Sequence, residues 1–187
     1  AQFDASTLTT WLKQHPLGDA QPEVHSEVGA VWAVLTKPPL AGADDWRHWE
    51  HGPDNNPVSE DTVIKAPYMT QWLGQPYYIA MPAITTSAAG RIFLAMGHIA
   101  HHKREEPWLN TLIARNAYNG THLWKRQLTP GFMLHRNTLI ATPETLSLGD
   151  DTSCKLLDAA TGELQTEIKI PAKIDPDGVW KWMALEK

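Results

Sequence analysis

Apolar positions in the first part of the chain follow two rhythms. Leu8, Trp11 and Leu12 recur at helical spacing behind Asp4 and Ser6, either of which can cap a short helix that Pro16 and Gly18 stop. Glu23–Glu27 and Ala30–Leu35 then read as two strands joined at Val28-Gly29, and Lys37-Pro38-Pro39-Leu40-Ala41-Gly42 reads as a linker. A helix and a strand pair cannot enclose a core in so short a stretch, so residues 1–45 are predicted to be the remnant of a preceding domain. From Trp46 onward, short apolar runs alternate with turn residues. Predicted strands are Met69–Leu73, Tyr77–Ala80, Ile84–Thr86, Arg91–Met96, Thr111–Asn116, Thr121–Leu128, Thr138–Ala141, Thr145–Leu148, Lys155–Asp158, Glu163–Ile170 and Val179–Leu185, with one helical turn within His98–Trp108. The second region, 46–187, is therefore predicted to be all-β.

An internal repeat decides the architecture. Leu112 to Gly120 aligns with Lys155 to Gly162, so that Asn116-Ala117 matches Asp158-Ala159 and the two glycines fall 42 residues apart. Each copy has a second apolar strand upstream, and the first carries an insertion, Gly97–Asn110, between its two central strands. Four short strands repeating at about 42 residues is propeller-blade spacing. At the turn, Asn116 or Asp158 can bond the backbone two residues on, and Gly120 or Gly162 supplies the positive φ of a tight reversal.

The repeat resembles that of the quinoprotein alcohol dehydrogenase-like propellers. Asp158-Ala159-Ala160-Thr161-Gly162 and Asn116-Ala117-Tyr118-Asn119-Gly120, with Trp124 following, carry the likeness. The resemblance implies that Trp124 docks between neighbouring blades, while Thr166 stands at that position in the second copy. Trp46 to Asn56 resembles the entry into the propeller of large exported bacterial proteins of this type, some of which carry a methyltransferase-like domain just before it. An extracytoplasmic, periplasmic setting is thus an expectation of the resemblance. Residues 46–187 hold about two to three blades, whereas rings of this type close with about seven or eight. The remaining blades are expected from the same polypeptide or from other chains, because an open stack exposes strand edges.

Composition narrows the function. The 187 residues carry 16 Lys and Arg against 21 Asp and Glu, a net charge of −5 that excludes a nucleic-acid footprint. No apolar run is long enough to span a bilayer as a helix. A single cysteine, Cys154, excludes a disulfide framework, cysteine-rich metal motifs and haem attachment. Nine Trp against four Tyr and three Phe point to packing anchors or a stacking surface.

Two clusters could carry chemistry. His98, His101 and His102 form the densest histidine group, and on one helical turn they would share a face suited to a divalent transition metal. Trp46, His48, Trp49 and His51 could form a binding surface. On a strand, Trp46 and His48 would share one face and Trp49 and His51 the other. Pyrroloquinoline quinone and its calcium find no residue-by-residue match. Three functions compete: a propeller segment for ligand or partner binding and assembly, without a complete active site; a quinoprotein-type oxidoreductase; and a metal-assisted enzyme, lyase or hydrolase, built on the three histidines.

Overall fold

A computed structural model describes residues 4–15, 18, 20–36, 38–75, 80–81 and 83–186. The chain divides into two compact units, Ala1–Ala41 and Gly42–Lys187.

In the first unit, α1 (Ala5–Gln14) is capped by Asp4, whose carboxylate accepts the Thr7 amide at 2.8 Å. This carboxyl is held at a pKa of about 2, chiefly by that backbone N–H. The hairpin of β1 (Pro22–Glu27) and β2 (Ala30–Leu35) is antiparallel, with Glu27 opposite Ala30. Leu12 is the one buried apolar side chain among the described residues of this unit, so burial contributes little to holding it together.

The second unit contains two four-stranded antiparallel meanders. The first is β3 (Ile84–Ala88), β4 (Arg91–Ala95), β5 (Thr111–Asn116) and β6 (His122–Gln127). The second is β7 (Leu139–Ala141), β8 (Thr145–Gly149), β9 (Ser153–Asp158) and β10 (Leu164–Lys169). The inner strands β3 and β7 lie side by side. Phe93, Ala95, Leu112 and Ala114 on the back of the first sheet pack against Leu146, Leu148 and Leu157 on the front of the second, in one core. The unit is all-β, and its sheets have the form of two propeller blades. Among the described residues, no helix is long and apolar enough to cross a membrane.

Both blade turns are built alike. Asn116 Oδ1 accepts the amides of Tyr118 and Asn119 at 2.9 and 3.2 Å, and the Gly120 amide returns to Asn116 O at 2.9 Å. Asp158 Oδ1 accepts those of Ala160 and Thr161 at 2.9 and 2.8 Å, and the Gly162 amide returns to Asp158 O at 2.8 Å. The glycines have φ of 73° and 75°, and each lies beneath a tryptophan ring. Trp124 donates its Nε1–H to Ala159 O at 3.2 Å and covers Gly162, where an added Cβ would come within 2.7 Å of the ring. Trp72 does the same one blade earlier, donating to Ala117 O at 2.7 Å and covering Gly120.

Two strand expectations differ from the structure, and a third lies almost wholly outside the described residues. Met69–Leu73 forms no strand, because Trp72 and Gln71 bond sideways to the turn carbonyls of Ala117 and Tyr118. Val179–Leu185 forms no strand, and its amides reach three different segments. Of Tyr77–Ala80, only Ala80 is within the described residues, buried against Met96 and Ile113.

Candidate functional site

The segment after the linker lies along the inner edges of both blades. Ser87 donates its amide to Trp46 O at 2.7 Å, and Ala141 donates to Arg47 O at 2.9 Å. This stretch is not the alternating strand that its pattern suggested. His48 and His51 bond each other's backbone in an isolated bridge, and His51 has a φ of 69°. The Trp46 indole donates to Trp49 O at 3.0 Å, closing the curl from within. Asp44 fixes it from outside, accepting the His51 ring at 2.7 Å, the Ser59 hydroxyl at 2.9 Å and the Glu60 amide at 2.8 Å. Burial pushes the Asp44 carboxyl up, but these hydrogen bonds outweigh it and hold its pKa below the usual value. Trp46 and His51, 5.2 Å apart edge to face, are thus spent on shaping the loop.

His48 and Trp49 point elsewhere. His48 is 8% exposed, and its Nε2 accepts the Leu185 amide at 3.2 Å. Trp49 packs on the interblade core and lines an open cleft of about 620 Å³ at the end where β3 and β7 begin. The Arg136 guanidinium lies 5.9 Å from the Trp49 ring centroid, in cation–π range. Lys181 adds a second cation and His135 an imidazole to the lining, with Glu50 the acidic side chain there. A volume of this size suits a small ligand. The aromatic floor offers an apolar contact, and the cations favour negative charge.

The histidine cluster is arranged differently from its expected shared face. The 3₁₀ helix begins only at Lys103, so His98, His101 and His102 precede it and no turn stacks their rings. The backbone amides of His101 and His102 both donate to the buried Glu105 carboxylate, at 2.6 and 3.2 Å, and hold its pKa down. His98 is half-buried, with Nδ1 sealed from solvent and without a partner. Among the described residues, no group of three or more His, Cys, Asp or Glu is placed to hold a metal ion. Cys154 is buried, and burial pushes its thiol pKa up, the opposite of an activated nucleophile.

Sequence reasoning missed Arg136 and Lys181, which meet Trp49 only in three dimensions, and also missed Trp72. It missed Arg115 too, which is 4% exposed with Nε and Nη2 unpaired beside Trp72. Burial lowers the pKa of its guanidinium.

No family model and no curated protein matches the chain. Among solved structures, the chain is similar to a europium-containing methanol dehydrogenase, with a TM-score of 0.34 and 17% identity. The match covers 44% of this chain and 14% of that one. So slight a likeness says nothing about activity.

Proposed function

We propose that this chain is a binding segment of an extracytoplasmic propeller, completed by further blades, and that its inner cleft receives a small anionic ligand. The observation that carries the reading is the convergence of Trp49, Arg136, His135 and Lys181 around one opening. The repeat's resemblance to exported quinoprotein-like propellers supports the setting. The need for more blades is supported by Tyr68, Met69 and Leu73, which are 76%, 87% and 82% exposed on the second unit. Exposed apolar side chains of this kind are places where other protein can pack.

Calorimetric titration with glucuronate, with glucose as the neutral control, tests the ligand class. Saturable glucuronate binding is expected, falling at least about tenfold in R136A with K181A, which corresponds to the loss of one charge-assisted contact. Equal binding of glucose, or none of glucuronate, would remove the anionic reading. Pyrroloquinoline quinone forms a second arm: tight uptake with a visible chromophore would favour the oxidoreductase reading instead.

A further inference from the structure

Residues 180–186 are held by three hydrogen bonds to three separate segments. Trp180 donates its amide to Asp150 O at 3.2 Å, Met183 to Asn137 O at 2.8 Å, and Leu185 to His48 Nε2 at 3.2 Å. Trp180 rests on Gly149, and Met183 Sδ lies 3.4 Å from Cys154 Sγ. Only the third of these bonds depends on a group that titrates near neutrality. A ring nitrogen that accepts an N–H carries no proton, so the neutral His48 ring bears its hydrogen on Nδ1. That Nδ1 is sealed from solvent and has no partner. Protonation would set a new N–H on Nε2 directly against the Leu185 N–H, with no acceptor on that side of the ring.

We infer that residues 180–186 form a strap, fastened by His48 while its ring is neutral and released when the ring takes a proton. Burial, the largest influence on this histidine, lowers its pKa and outweighs a hydrogen bond to the His51 backbone that raises it; the charges of Arg47 and His51 oppose a proton, while Asp54 favours one. The strap's Trp182 and Met183 and the second blade's Asn137, Leu139 and Ile140, which share a small cavity with His48, carry no charge to compensate a proton. Release uncovers the far face of the second blade around Gly149, Cys154 and Ile140, the face a further blade would need. Lys181 lies on the strap and also lines the cleft, so release would withdraw one of the cleft's cations, and exchange is read without added ligand.

Hydrogen–deuterium exchange of the 180–186 peptide in the full chain, corrected for the intrinsic pH dependence of amide exchange, reads the strap. The sign follows from linkage: release frees His48 to regain its ordinary pKa, so falling pH favours release. Strap exchange is expected to accelerate by up to about tenfold per pH unit below about 6.5, and to level off beneath the fastened ring's lower pKa. His48→Gln keeps a neutral acceptor on that side chain and is expected to abolish the pH dependence while retaining protection. A flat wild-type profile, or the same slope in H48Q, overturns the inference. Should H48Q fail to fold, nitrogen-15 NMR of the wild-type chain decides. The Leu185 amide and the His48 ring must titrate with one midpoint, and separate midpoints overturn it.

Discussion

The two blades share a backbone and differ in the face that each turns to its successor. Pairing registers align them: Phe93 sits opposite Ala114 where Ser147 sits opposite Leu156, and Ala95 faces Leu112 where Gly149 faces Cys154. Trp124, paired with Ala114, corresponds to Thr166, paired with Leu156. The first blade therefore presents two rings, Phe93 and Trp124, 6.0 Å apart, to the second. The second blade presents Ser147, Gly149, Cys154 and Thr166 beside Leu156, with no ring among them, and takes Trp180 and Met183 from the strap. The turn chemistry sets the blade, and the face residues set what packs on it. Repetition of the first does not require repetition of the second.

The largest effect should come from removing the ring that joins the blades. Trp124→Ala is expected to destabilise the second unit by about 3–5 kcal/mol in urea unfolding, whereas Trp72→Ala, whose ring has the Arg115 guanidinium beside it, should cost about 1–2 kcal/mol. Equal losses would erase the distinction between the two dockings. Next, Gly149→Ala would set a Cβ within 2.8 Å of Trp180 Cβ and 3.1 Å of Thr138 Cβ. It should loosen the strap by about 1–3 kcal/mol, seen as faster amide exchange at 180–183 with the first blade unchanged. The smallest effect is electrostatic. Hydrogen bonds from the Thr161 amide, the Thr161 hydroxyl and the Ala160 amide hold Asp158 below its ordinary pKa of 3.8. Its contribution is present above that value and fades as pH falls through the lowered one. Asn116 has no such dependence, so below pH of about 4 the second turn should loosen before the first in amide NMR.

The turns were legible because their chemistry is local: an Asn or Asp, a glycine four residues on, and a strand before them. Trp72 was hidden because it falls out of phase with the repeat, and the glycine it covers lies far along the chain. The cleft was half legible. Trp49 was singled out beside His48, but Arg136 and Lys181 reach it from segments with no shared spacing. Val179–Leu185 shows how one apolar pattern serves two ends, since a strand and a strap both need large side chains on one side. The histidines were read on a helical turn that in fact starts one residue after His102, at Lys103.

The Asp44 carboxylate ties His51 to Ser59 and Glu60, so the stretch 52–58 is clamped at both of its ends. Lengthening such a loop costs only about 0.6 kcal/mol per doubling. The molecule can thus vary the size of this rim, by insertion or grafting, without disturbing the histidine and indole that the clamp orients.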